Sequence, residues 1–147
     1  MELNILRADP AGNITVFVLD PVEKAQRAAI AEKIMAIPEL KAEQVGYACA
    51  AEDDVDGHME MMGGEFCGNA TRAYGMYIAQ QKGGLSSVRL RVSGCDHVVT
   101  AQVDLKSGTA RAEMPCPRSV KRVTVNGHEG TLVDLTGIAH FVVEGVE

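Results

Sequence analysis

The residue with the clearest chemical potential in this sequence is Cys67, which lies in the run Gly-Gly-Glu-Phe-Cys-Gly-Asn-Ala-Thr-Arg at positions 63–72. Glycines flank it and a helical pattern follows it, so we expect Cys67 at the start of a helix. Unpaired backbone N–H groups and the positive end of the helix dipole favour negative charge there. A thiolate in that place is suited to act as a base or a nucleophile. Gly68 and Asn69 offer further N–H groups that would hold a substrate carboxylate beside the sulfur.

The other three cysteines, Cys49, Cys95 and Cys116, are expected to be small core residues, which is the usual role of a free cysteine. No two of the four cysteines stand at Cys-X-X-Cys spacing. The group Cys95-Asp96-His97 lacks the second ligand pair of a zinc finger. The sequence therefore predicts reduced thiols and no metal site.

Two helices are expected to position these residues. Between positions 67 and 81 apolar residues cover nearly the whole circumference of a helix, and two glycines follow as a stop signal. A helix that is apolar on all sides must be surrounded by protein. A second, amphipathic helix is predicted over residues 21–37, on the outside of the molecule, with Asp20 as its N-terminal cap and Pro21 at its first position.

The rest of the chain is rich in strand patterns. Residues 3–7 and 14–19 predict a β-hairpin, and the pattern from residue 87 onward is all strand, with a hairpin turn at Asn126-Gly127. We count about nine strands, mostly antiparallel. Enclosing an apolar helix with so many strands predicts an α+β fold, in which a curved sheet wraps around the central helix.

Composition excludes several classes of function. The 20 acidic and 14 basic residues give a net charge of -6 and are spread along the chain, so no basic face is expected to bind nucleic acid. No apolar run approaches the roughly 20 residues that span a membrane, and the N-terminus lacks the layout of a signal peptide. We therefore expect one soluble, cytoplasmic domain over residues 1–147.

The run Glu-Phe-Cys-Gly-Asn-Ala-Thr-Arg at positions 65–72 resembles the first catalytic motif of the diaminopimelate epimerase superfamily. Members of that superfamily are racemases and epimerases that use no pyridoxal phosphate. The resemblance extends along the chain, since Asn13, Gln44 and residues 137–140 stand where the family places its landmarks. It implies a protein without a cofactor, built from two similar halves in which a sheet curls around a helix. Residues 1–147 match the first half.

Two departures from the family pattern bear on the substrate. Diaminopimelate epimerases carry an Asn-Ala-Asp-Gly-Ser-type segment before the cysteine, where this chain has His-Met-Glu-Met-Met-Gly-Gly at positions 58–64. Their closing Gly-Asn-Pro-His is here Gly-Ile-Ala-His at positions 137–140. Two side-chain amides near the substrate are lost. The motif is more similar to that of the histidine racemases in the superfamily, with diaminopimelate epimerase proper as an alternative.

The resemblance implies a two-base mechanism and assigns residues to it. Cys67 would remove the α-proton of an amino acid on one face, while a second cysteine protonates the other face. Gly68 and Asn69 would bind the substrate carboxylate. Asn13 and Gln44 would hydrogen-bond the substrate, or else be ordinary turn and strand-surface residues.

Three further side chains have two interpretations each. His140 either lines the pocket or is a satisfied core residue. Glu65 either lies near the thiolate or is a solvated acid. Arg72 holds an acidic partner or forms a structural ion pair.

The resemblance implies that both bases are cysteines, and Cys67 alone has this glycine-flanked setting at a helix start. We therefore expect the chain to need a missing C-terminal domain and to be inactive when isolated. Alternatively, a homodimer would cover the surface that normally faces the second domain. The competing interpretations are a proton-shift isomerase of the same superfamily and a non-catalytic domain that binds a small molecule.

Overall fold

The computed structural model describes residues 2–145. In this part of the chain there are ten strands and two helices. Their bounds are β1 (Ile5–Ala8), β2 (Thr15–Val18), α1 (Lys24–Met35), β3 (Gln44–Cys49), β4 (Gly57–Met61), α2 (Gly68–Gln81), β5 (Ser87–Val92), β6 (Val99–Asp104), β7 (Thr109–Ala112), β8 (Ser119–Val125), β9 (His128–Leu135) and β10 (Ile138–Val142).

The first seven strands form one curled sheet in the order of the sequence. β2 pairs with β3, and β4 with β5, in parallel, while the other neighbours are antiparallel. Both parallel pairs are joined through a helix, because parallel neighbours need a crossover connection. The predicted α+β fold with a sheet curved around a helix is confirmed.

The remaining strands, β8 to β10, form a separate antiparallel sheet. Of the two sheets, only the seven-stranded one encloses the central helix. The predicted turn is confirmed: Asn126 and Gly127 both have positive φ, at 49° and 81°, and join β8 to β9 as a two-residue hairpin loop.

Helix α2 lies inside the curl of the large sheet and packs against β4 to β7. Its residues from position 68 to 79 are buried or half-buried, as the all-round apolar pattern predicts. Gly75 allows the helix to approach β6 closely, because a Cβ on Gly75 would lie 2.7 Å from the Cβ of Ala101. This contact sets the position of the helix that carries Cys67.

Helix α1 covers the opposite face of the sheet, where it buries Ile30, Ala31 and Ile34 against β2 and β3. Its external position is confirmed. The predicted cap is wrong, because the helix begins after Glu23 without a side-chain cap. The Asp20 carboxylate instead accepts hydrogen bonds from the backbone and side-chain amides of Asn4, which tie it to the strand edge.

Candidate active site

Cys67 is the N-terminal cap of α2. Its backbone is extended (φ -128°, ψ 111°), and its Sγ accepts a hydrogen bond from the backbone N–H of Ala70 at 3.4 Å. The hydroxyl of Thr71, which is fully buried, donates to the Cys67 carbonyl oxygen at 2.8 Å. The sulfur is thus held at the positive end of the helix, where first-turn N–H groups have no intrahelical acceptor.

The loop that leads to Cys67 is tied to the end of β5. Phe66 is buried in the core, and the Ser93 hydroxyl donates to the carbonyl oxygen of Glu65 at 2.7 Å. Gly94 approaches this loop so closely that a Cβ would lie 2.2 Å from the Phe66 nitrogen, and its φ is +71°. Both observations explain why a glycine stands there. The cysteine is therefore held from the sheet as well as from its own helix.

A network of amide side chains surrounds the sulfur. Gln44 Nε2 donates to Cys67 Sγ at 3.2 Å and to Thr15 Oγ1 at 2.7 Å. Thr15 and Gln44 lie directly opposite each other in the parallel pair of β2 and β3. Asn13 Oδ1 accepts from Gln44 Nε2 at 2.9 Å and from Asn69 Nδ2 at 3.3 Å. The fold thus joins residues from three distant segments around one thiol.

The sulfur lies in an open cleft of about 760 Å³, a volume that suits a small ligand. All six residues that the sequence suggested for a site line this cleft, namely Asn13, Gln44, Cys67, Gly68, Asn69 and His140. Further lining comes from the loop before α2, from α2, β7 and the segment after it, and from the second sheet. The fold brings the predicted residues together, while their individual roles stay predictions.

Charged groups of both signs border the cleft. Among residues 2–145 the Arg72 guanidinium makes no ion pair but donates to Asn69 Oδ1, so Arg72 belongs to the amide network. Glu65 is half-buried at the cleft wall. His140 is exposed at the rim, so the interpretation of His140 as a core residue is wrong.

Several residues at or behind the cleft were not predicted from the sequence, among them Thr15, Arg111 and Met114. Thr15 is a fully buried strand residue, and its contact with Gln44 depends on the register of β2 and β3. Arg111 and Met114 come from β7 and the segment after it, and Met114 lies over Gly68. Neither a turn signal nor a motif marks β7, the edge strand of the sheet, so the sequence gives no sign that Arg111 and Met114 lie at a site.

The other cysteines lie apart from the cleft, and all four are free thiols. Cys95 packs against the core, but Cys116 is exposed, so the expectation of a core role for Cys116 is wrong. Cys49 is half-buried on the outer face of the sheet, and burial raises the pKa of its thiol. Of the four thiols, Cys67 is the one that faces the cleft.

A second polar cluster lies beneath α1, where donor atoms of Cys49, His58 and Glu60 come within 4.8 Å of one another. Such a set resembles metal ligands, but the Arg27 guanidinium bonds to both Cys49 and Glu60 and stacks over the Tyr47 ring. The guanidinium already supplies the positive charge that a bound cation would otherwise bring to these groups. We interpret the cluster as a structural ion pair that ties α1 to the sheet.

Helices in the described part of the chain are too short or too polar to cross a bilayer.

Known proteins with similar sequences are described as histidine racemases. Residues 2–147 match the family model described as the histidine racemase CntK N-terminal domain. A histidine racemase of Fusobacterium nucleatum subsp. nucleatum is 33% identical over 151 residues, which cover 95% of this chain and 54% of the relative. A histidine racemase of Staphylococcus aureus strain Mu50 is 32% identical over 122 residues, which cover 80% and 44%. The chain thus spans about half the length of the curated relatives it matches.

Proposed function

The chain belongs to the family of histidine racemase N-terminal domains, and we propose from that premise that it supplies the first half of a cofactor-independent, two-base amino-acid racemase. Cys67 is one of the two bases, and histidine is the substrate, following the names of the relatives. One observation carries the proposal: the Cys67 sulfur caps α2, accepts N–H donors from Gln44 and Ala70, and faces the cleft.

The chemical difficulty is the weak acidity of an amino-acid α-carbon. In the proposed step the Cys67 thiolate takes the α-proton, so that a C–H bond breaks and an S–H bond forms. The electron pair moves into the substrate carboxylate, which becomes an enediolate. Backbone N–H groups of Gly68 and Asn69, at the first turn of α2, stabilise this negative charge by several kcal/mol.

Inversion requires that a different proton is delivered to the opposite face of the carbon, while the proton that Cys67 removed stays on its sulfur until solvent exchanges it. We propose that the opposing acid is a second thiol, as in the superfamily that the motif resembles. Cys49, Cys95 and Cys116 do not line the cleft, so this thiol would be supplied from outside residues 2–145. We propose that a C-terminal domain, of the kind that makes the relatives about twice as long, carries it. That domain would also close the cleft and exclude water, which strengthens the electrostatic stabilisation. The chemistry needs reduced thiols, and so a reducing compartment such as the cytoplasm.

Isotope exchange and chiral analysis test the proposal together. The whole protein is incubated with L-histidine in D₂O, and the products are followed by mass spectrometry and chiral chromatography. We expect deuterium at the α-carbon together with formation of D-histidine. Hydroxylamine, which removes pyridoxal phosphate, should leave the rate of the reaction unchanged. Cys67→Ser should lower the rate by several powers of ten, because an alcohol is mostly protonated at neutral pH. Cys116→Ser is the matched control and should keep full activity.

Each alternative has its own outcome. Racemisation by the isolated 147-residue chain would refute the two-half proposal. Retained exchange in Cys67→Ser would remove Cys67 as the base. Binding of histidine by the whole protein without any exchange would make this a binding domain.

A further inference from the structure

The side-chain amide of Gln44 points its nitrogen at the Cys67 sulfur, with Nε2 at 3.2 Å. The same nitrogen lies 2.9 Å from Asn13 Oδ1 and 2.7 Å from Thr15 Oγ1, so its two N–H groups are shared among three acceptors, one of which is the sulfur. An amide nitrogen can only donate, whereas the amide oxygen can only accept. The direction of this amide therefore decides whether the sulfur is offered a donor or an acceptor.

Two charged groups of opposite polarity set that direction. The Glu43 carboxylate can only accept, and it accepts from Asn13 Nδ2 at 3.1 Å. The Arg72 guanidinium can only donate, and it donates to Asn69 Oδ1, which leaves Asn69 Nδ2 to donate to Asn13. Both ends of the network turn Asn13 Oδ1 inward. Gln44 must then present its nitrogen to Asn13.

Thr15 acts in the same direction from the core. Its hydroxyl is fully buried and lies 3.3 Å from the carbonyl oxygen of Asn13, to which it donates. The oxygen lone pairs of Thr15 are left to accept from Gln44. With the amide turned this way, a neutral Cys67 S–H would find no acceptor on Gln44, whereas an anionic sulfur gains a charge-assisted hydrogen bond.

We infer that Gln44 is a positioning residue, which holds a hydrogen-bond donor on Cys67 and so keeps the sulfur in its anionic form, with Glu43 and Arg72 setting the direction of the amides. This inference rests on the proposed function, in which the Cys67 thiolate is a base. It also changes the role predicted for Gln44, because the amide nitrogen is used by the protein itself rather than by a substrate.

Alkylation of the thiol tests this inference without the reaction. The intact chain is treated with iodoacetamide between pH 6 and pH 9, and modification of Cys67 is followed by peptide mass spectrometry, with the exposed Cys116 as internal reference. In Gln44→Leu, which keeps the bulk but removes the donor, we expect the rate at pH 7 to fall about ten- to a hundredfold. That is the range for loss of a hydrogen bond to a charged group. The fall should be largest at the acid end of the pH range and smaller towards pH 9, while the profile of Cys116 stays unchanged.

Two further variants separate direction from bulk. Gln44→Glu is nearly isosteric and places an acceptor beside the sulfur, so alkylation should be at least as slow as in Gln44→Leu. Glu43→Lys changes an exposed acceptor into a donor, which should turn Asn13 around and slow alkylation several-fold. Glu32→Lys, an equal charge change at an exposed position of α1, is the control and should leave the rate unchanged. Glu65, Arg72, Arg111 and His140 also face the cleft, and they are the same in every variant.

Circular dichroism identifies any variant that fails to fold. A folded Gln44→Leu that is alkylated as fast as the parent chain, relative to Cys116, would overturn the inference. If Gln44→Leu does not fold, an unchanged rate in Glu43→Lys overturns it instead. The proposed function fails separately: its test is proton exchange in Cys67→Ser, so unchanged alkylation in the Gln44 variants together with lost exchange in Cys67→Ser would refute only the positioning role.

Discussion

Replacing Cys67 by serine and, separately, by alanine distinguishes what this residue does for the helix from what it does for the reaction. Cys67 caps α2 through a 3.4 Å hydrogen bond from Ala70 to sulfur. A neutral thiol is a weak acceptor, so the stabilities are compared at about pH 5, where an ordinary thiol is protonated. Serine is among the preferred N-terminal caps, and its advantage over alanine is about 1 kcal/mol. The serine variant should therefore keep the start of the helix, while the alanine variant loses it.

The size of each effect follows from the burial of the sulfur. Cys67 is half-buried and packs against the core, so replacing its sulfur costs at most about 0.8 kcal/mol, the value for one buried methylene. In Cys67→Ser the better cap offsets this loss, and the net change should lie within about 0.5 kcal/mol of zero. Cys67→Ala loses both contributions and should be less stable by about 1–2 kcal/mol, or roughly 2–8 °C in Tm.

Urea unfolding followed by circular dichroism measures these differences, and proton exchange in the whole protein measures the reaction. We expect Cys67→Ser to be about as stable as the parent chain and to lack exchange. Equal destabilisation by serine and alanine would refute the reasoning, because it would mean that no cap hydrogen bond forms at this position. A serine variant that folds well but does not react would show that Cys67 serves the reaction rather than the fold.

Two further predictions concern the framework around the site. Gly75→Ala should destabilise the chain by about 1–2 kcal/mol, because the clash with Ala101 outweighs the gain in helix propensity. Adding Ala101→Gly should recover about 1 kcal/mol relative to the sum of the single variants in urea unfolding, and strict additivity would contradict the close approach. Hydrogen bonding by the backbone N–H of Arg89, with a smaller contribution from Lys82, lowers the pKa of Asp56. A lowered folded-state pKa means that the carboxylate adds stability above the ordinary carboxyl pKa of about 4, which is lost as the pH falls through the lower folded value. Asp56→Asn should therefore have a lower Tm at pH 7, and the difference should shrink towards roughly pH 2; an equal difference at both pH values would contradict this assignment.

Much of the local structure was predictable because its signals are local. The glycine-flanked Cys67 before an all-round apolar run predicts a buried helix that starts there, and the Asn126-Gly127 pair predicts a hairpin turn. Both are confirmed. The cap of α1 was mispredicted because Asp20 found a partner in Asn4, sixteen residues away. Competition between a local cap and a distant partner is decided by the folded chain.

What the sequence by itself determined is the list of residues: the motif around Cys67, and through its resemblance Asn13, Gln44 and His140. What the tertiary structure decided is their mutual geometry. Gln44 reaches the sulfur because its strand pairs in parallel with β2 in one register, opposite Thr15. A slip of one residue would turn the Gln44 side chain to the other face of the sheet. The separate second sheet, which brings His140 to the rim, likewise depends on strand pairing. Such pairings join segments far apart in the chain and are chosen by the packing of the whole core, so no local pattern encodes them.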